Sequence, residues 1–264
     1  MKEIFFLNGL PRAGNTVFGA IINQNPKIAV TANSICADML GQLFKLKHTD
    51  IFKNYPDHKS FDNVAKTVFE NYYKDWKQNY IIDRAPWGYP INLKFLKKTK
   101  SNIKIIVLVR DIIEVLGSFI DWSNREPTAF VNQYAAKTVE EKCDMLMNND
   151  GQIVKELIGI KHLIDHQPKK IYHIVKFNDL VKDTENTIDG VYNFLGIPKF
   201  KHDFNNIGQF KVNDMGYDDT VVGNGLHTLE TGAISDYKEK YDAYSIIPKS
   251  IIEKYKQCNF WEEI

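Results

Sequence analysis

The chain has 264 residues, 44% of them hydrophobic and 25% charged, which suffices for one α/β domain with a full core, with or without a helical insert. Lysine and arginine (34) nearly cancel aspartate and glutamate (33), so no global field draws the protein to nucleic acid or to an anionic membrane, and any anion binding has to be local. Cys36, Cys143 and Cys258 are scattered without metal or redox spacing, no apolar run approaches membrane-spanning length, and the N-terminus runs straight into a strand-like segment. The expectation is a soluble, cytoplasmic protein without a signal peptide, a resident metal, a nucleic-acid partner or a membrane partner.

Ile4 to Leu7 reads as a strand that stops at Asn8, followed by the turn Gly9-Leu10-Pro11-Arg12-Ala13-Gly14 and a helical pattern opened by Asn15-Thr16. Strand, glycine loop and helix point several backbone N–H groups at one spot and back them with a helix N-terminus, an arrangement that binds phosphate. The spacing is that of a P-loop, G-x-x-x-x-G-K-[ST], with Asn15 where the lysine belongs and the cation moved into the loop as Arg12. Ile28 to Thr31 reads as a second strand. Asn33-Ser34 caps a helix carrying Ile35, Met39, Leu43 and Phe44, and a further helix carries Phe61, Val64, Ala65, Val68, Phe69, Tyr72 and Trp76. Tyr80 to Asp83 is a third strand that delivers Asp83-Arg84-Ala85-Pro86-Trp87 to its C-terminal end, where open α/β sheets keep their ligand sites.

The run from Ile103 to Val109 is a strand buried on both faces, and Arg110-Asp111 follows it. The next helix turns Val115, Leu116 and Phe119 inward and carries Ser118. Residues 126 to 166 read as an amphipathic helical cover opened by Pro127 and broken at Gly151, Ile171 to Val175 as a fifth strand, and Thr184 to Leu195 as a helix ended by Gly196 and Pro198. The tail from Phe200 begins irregular and polar, and a closing helix starts at Pro248. The expected fold is α/β: a three-layer α/β/α single domain over 1–264, with a mostly parallel sheet of about five strands, a helical cover at about 126–168 and a C-terminal segment at about 200–264.

Read together, GLPRAGNT, the Arg110 and Ser118 pair behind the fourth strand, and Lys176-Phe177-Asn178-Asp179-Leu180 with Phe194-Leu195-Gly196-Ile197-Pro198 resemble the sulfotransferases that use 3′-phosphoadenylyl sulfate (PAPS). The style is closest to the Golgi and protein-tyrosine branch, with its P-R-S-G-T-T loop. The resemblance implies a P-loop-like fold and transfer of a sulfuryl group from PAPS to a hydroxyl or amine, with release of adenosine 3′,5′-bisphosphate (PAP) and no metal. It puts the 5′-phosphosulfate on Pro11, Arg12, Ala13, Gly14, Asn15 and Thr16, and the 3′-phosphate on Arg110 and Ser118. Arg84 falls where the family has a lysine that contacts the sulfuryl group. Ser235 and Lys240 (or Lys238) are the candidates for a loop that folds back over the nucleotide. Phe177 stands where the family has a tyrosine, and lacks its hydroxyl.

The base that takes the acceptor's proton is open at this level. Asn33 stands where the tyrosyl branch has a glutamate, and the candidates are Asp83, ranked first because its strand end should face the loop, then Asp38 and His48, with His173 read as structural. The catalytic set is therefore Arg84, Asp83 and Arg12. The acceptor, a small molecule, glycan or peptide, is not encoded in any motif. A PAP- or PAPS-binding protein without catalysis is the alternative reading, followed by a P-loop nucleotide kinase, against which the missing lysine weighs.

Overall fold

The apolar opening run is strand β1 (Glu3–Gly9), and every residue of it from Ile4 onward is buried. Because successive side chains in a strand point to opposite faces, such a strand must be covered on both sides. The chain of this computed structural model, described over residues 2–133, 135–237 and 242–264, covers it with helices. After β1 come α1 (Asn15–Ile22) and β2 (Ile28–Val30). Three helices, α2 (Cys36–Leu46), α3 (Asp50–Asn54) and α4 (His58–Tyr72), then lead to β3 (Tyr80–Arg84). Helix α5 (Pro90–Thr99) connects to β4 (Ile105–Val109), which is buried throughout. Next are α6 (Ile112–Arg125), α7 (Phe130–Gln133), α8 (Val139–Leu146), α9 (Val154–His166) and β5 (Tyr172–Lys176). Helices α10 (Phe177–Lys182) and α11 (Thr184–Leu195) follow at once, and α12 (Ala243–Ile246) and α13 (Lys249–Tyr255) lie near the C-terminus.

All five strands are parallel, in the order β2-β3-β1-β4-β5. This is the α/β class and layer arrangement that the strand and helix patterns imply. The chain leaves β1 toward β2 and β3 on one side, then crosses to β4 on the other. A crevice opens beyond the C-terminal end of a strand where the winding reverses in this way. Three chain segments therefore converge there: the loop after Gly9, the end of β3 at Arg84, and Arg110 just past β4. No helix among the described residues is long and apolar enough to cross a membrane.

Several local expectations are corrected. The inward face of α2 is Cys36, Ala37, Leu40 and Phe44, whereas Ile35 and Met39 are exposed. On α4 it is Ala65, Val68 and Phe69, and Val64 and Tyr72 are exposed. On α2 a neighbouring set with the same helical period wins, because periodicity fixes the spacing of a stripe but not its phase against the sheet, whereas on α4 the buried residues all belong to the expected stripe and only Val64 and Tyr72 at its edges face outward. The 126–166 stretch is three helices rather than the two that a break at Gly151 implies; Thr138 starts α8 with a capping box, and Gly151 does fall in the break before α9.

Candidate active site

The glycine loop is shaped by two left-handed residues, Arg12 (φ 61°) and Gly14 (φ 82°). Gly14 has no alternative, because a Cβ there would stand 2.7 Å from the ring of Phe177 besides adopting a conformation that L side chains resist. Left-handed residues turn successive N–H groups toward the same side, and the first N–H groups of α1 have neither an intrahelical partner nor a side-chain cap. Asn15 does not take over the role of a P-loop lysine. Its amide folds back under the loop and donates to the Leu10 carbonyl at 2.7 Å, so it braces the turn. Ala13 is buried beneath the loop, while Pro11, Arg12, Gly14, Asn15 and Thr16 line a cleft of about 230 Å³.

The same cleft receives Arg84, Arg110 and Ser118. Arg12 Nε donates to Ser118 Oγ at 3.0 Å, and Arg12 Nη1 donates to the Leu226 carbonyl. Arg110 Nη1 donates to the Arg12 carbonyl at 3.0 Å and Nε to Glu114 at 3.1 Å, while its guanidinium lies over the Phe177 ring at 4.5 Å. Phe177 thus replaces a hydroxyl contact with a platform that orients an arginine. The aspartate of the Arg110-Asp111 pair is used differently, as the cap of α6, where it accepts from the N–H groups of Ile113 and Glu114. Arg84 sits at the edge of the cleft, with Nη1 donating to the Ala32 carbonyl (2.8 Å), Asn33 Oδ1 (3.0 Å) and the Tyr217 hydroxyl (3.2 Å).

The expected base is corrected. Adjacent strand residues point to opposite faces, so with Arg84 turned to the cleft Asp83 is turned away from it. Asp83 is fully buried and accepts from Tyr73 (2.5 Å), Ser34 (2.7 Å) and Trp87 Nε1 (2.9 Å). Burial drives its carboxyl up despite these donors, and it ties α2 and α4 to the sheet. Asp38 and His48 are exposed and line neither this cleft nor its neighbour. His173 stacks on Phe194 with ring centroids 5.3 Å apart, as a structural reading requires. Ser235, in a 3₁₀ turn, does not line the cleft, and Lys240 and Lys238 lie outside the described residues. The tail does fold over the loop, but with Leu226, His227, Thr228 and Leu229.

Sequence reasoning missed two groups. The first is a histidine–carboxylate pair. Asp219 clamps His227 twice, at 2.8 Å to its backbone N–H and at 2.6 Å to Nδ1. A carboxylate only accepts, so Nδ1 carries the proton and Nε2 is left with its lone pair. The ring stacks flat on Tyr217 (4.1 Å, 4°) and lines both the anion cleft and a second cleft beside it. Burial lowers the His227 pKa; Arg84 and Arg12 lower it further, and the Asp219 contact opposes them without prevailing. The ring is neutral at neutral pH. A lone histidine in a polar tail gives no signal in sequence, because its carboxylate and its stacking partner are set by the loop's path.

The second is Glu156 on α9. Gly88 and Gly159 pack so closely that a Cβ on Gly88 would meet the Gly159 carbonyl at 2.6 Å, which lets α9 lie against the loop after β3 and brings Glu156 within electrostatic reach of Arg84. The residue is half-buried, but Oε2 is shut off from solvent with no hydrogen-bond partner among the described residues. Burial pushes its carboxyl up to about 7, against the pull of Arg84 and Lys155. A carboxyl raised on folding binds its proton more tightly in the native state, so its contribution is favourable at low pH and is lost as pH rises from the ordinary carboxylate range through 7. Glu156→Gln is therefore expected to be more stable than the parent at pH 8, by about 1–2 kcal/mol, and to match it at about pH 4, below the ordinary carboxylate pKa. Thermal melts of both proteins across this range check it; parallel curves would show that Glu156 does not titrate there.

A family model described as the sulfotransferase family matches residues 5–202. Among solved structures the chain is similar to the sulfotransferase domain of the Synechococcus PCC 7002 olefin synthase, with a TM-score of 0.57 and 16% identity over 99% of this chain and 94% of that one. The sulfotransferase domain from the curacin biosynthetic pathway gives 0.52 and 16%, over 97% and 91%. Mouse sulfotransferase SULT7A1, solved in complex with PAP, gives 0.56 and 13%, over 97% and 82%. At such identities these likenesses carry the fold alone. No curated protein sequence matches the chain. With the family match running from the first strand past the end of α11, this chain belongs to the sulfotransferase family.

Proposed function

We propose that the protein transfers the sulfuryl group of PAPS to a hydroxyl acceptor and releases PAP. The observation that carries this reading is the convergence of two anion-binding elements in one cleft, the amides and Arg12 of the glycine loop and the Arg110–Ser118 pair, with Arg84 at its edge. The loop amides from Gly14 to Thr16 and the Arg12 guanidinium bind the 5′-phosphosulfate, and Arg110 with Ser118 binds the 3′-phosphate. Arg84, always charged, stabilises the sulfuryl group in flight. His227 is the general base, in place of Asp83. The acceptor oxygen bonds to sulfur as the bond from sulfur to the bridging oxygen breaks. The acceptor's proton passes to His227 Nε2, and the electron pair of the broken bond stays on the 5′-phosphate of PAP, where Arg12 and the loop amides hold it.

Calorimetry with no metal added tests the donor half. PAP is expected to bind about 10- to 100-fold more tightly than ADP, because only PAP offers a 3′-phosphate to Arg110. Equal affinity, or a preference for ADP with magnesium, would return the chain to the nucleotide-kinase reading. Tight PAP binding without turnover of labelled PAPS against a panel of hydroxyl acceptors would favour a protein that binds the nucleotide without catalysis.

A further inference from the structure

Adjoining the anion cleft is a second one of about 270 Å³, and His227 lines both. Arg84 links them as well: it lines the first cleft, and its hydrogen-bond partners Asn33 and Tyr217 line the second. A group passing from one cleft to the other therefore meets a cation and an unprotonated imidazole nitrogen at the boundary.

The walls of the second cleft have a distinct chemistry. Tyr72, Trp76, Val212, Met215 and Val221 contribute to them, and three of these are large apolar side chains held out toward solvent: Tyr72 is 40% exposed, Met215 55% and Val221 79%. Exposed apolar groups gathered around one concavity mark a binding surface rather than ordinary scatter. No lysine or arginine lines this cleft among the described residues, whereas Asp218 and Asp219 do. A site for an anionic glycan or an acidic peptide needs the opposite sign. Its volume, close to the ~300 Å³ lower end of small-molecule sites, fits one compact ring system.

We propose that this second cleft is the acceptor site and that it takes an uncharged hydroxyl compound with a flat, apolar body, a phenol or a comparable alcohol, rather than an anionic polymer. The inference rests on the sulfotransferase reading above. The hydroxyl points to His227 Nε2 at the boundary, and the ring lies among Tyr72, Trp76 and Met215.

The test is calorimetric titration of 2-naphthol into the full chain saturated with PAP, beside its anionic analogue 6-hydroxy-2-naphthoate. The expected result is that 2-naphthol binds, that the carboxylate weakens binding about tenfold or more, and that Met215→Arg removes most of that difference. Trp76→Ala should weaken 2-naphthol by a similar factor while leaving PAP binding intact, which also shows that the variant is folded. Absence of 2-naphthol binding to a protein that binds PAP normally, equal binding of the two naphthols, or preference for the anionic one would overturn the acceptor assignment alone. Failure to bind PAP in the first place would overturn the underlying sulfotransferase reading instead.

Discussion

Replacing His227 by alanine is expected to lower kcat by about 10²- to 10⁴-fold, the range that a positioned general base contributes, with PAP affinity changed by no more than about threefold. The argument is geometric first: Asp219 fixes both the backbone and the ring of His227, Tyr217 supports the ring's flat face, and Nε2 is the nitrogen left unengaged by the clamp. Electrostatics then favour the neutral ring, since burial and the two arginines outweigh the carboxylate. A base has to be unprotonated to act. Activity should accordingly hold through neutral pH and fall as pH drops through a value below the ordinary histidine range, and this acid limb should vanish in the residual activity of His227→Ala. Asp219→Asn should also lower kcat, because one of its two acceptor oxygens becomes a donor and the ring can no longer be held in both contacts. Steady-state rates against pH, with PAP titrations as the folding control, decide the matter. A His227 variant with wild-type kcat would remove the imidazole from the mechanism.

Arg110→Ala should produce the second large effect. Loss of a charge-assisted pair to a phosphate costs about 2–3 kcal/mol, so PAP affinity is expected to fall roughly 30- to 150-fold. Adenosine 5′-monophosphate has no 3′-phosphate and should lose about fivefold at most, the residue of Arg110's support for the loop through the Arg12 carbonyl. Calorimetry with both ligands separates the two roles. Equal losses would mean that Arg110 acts only as a brace for the loop, with its guanidinium committed to Glu114, Phe177 and Arg12.

The sheet, the loop and the strand-end arginines are legible in the sequence because each is a local signal. Near-continuous apolar runs declare parallel buried strands, as Ile105 to Val109 does; a glycine pair around an arginine before a helix declares an anion cradle; and a charged residue just after such a run declares the sheet's ligand-bearing edge. Together with the resemblance to the PAPS sulfotransferases, those signals assign Arg12, Arg84, Arg110 and Ser118 to one ligand site, and one cleft receives all four. The tertiary structure decided the rest, for equally definite reasons. Asp83 and Arg84 look interchangeable as neighbours in sequence, but the two-residue period of a strand sends only one of them to the cleft, and the hydrogen bonds that Tyr73, Ser34 and Trp87 donate to the other make it a tie between layers. Phe177 reads as a lost hydroxyl until Arg110 is seen lying on its ring. Asn15 reads as a failed lysine until its amide is found under the loop. His227 becomes a candidate base only because a loop anchored by Asp219 and Tyr217 returns it to the cleft shared with the glycine loop and Arg84, far away in the chain, a placement set by long-range packing and carried by no pattern in the sequence around it.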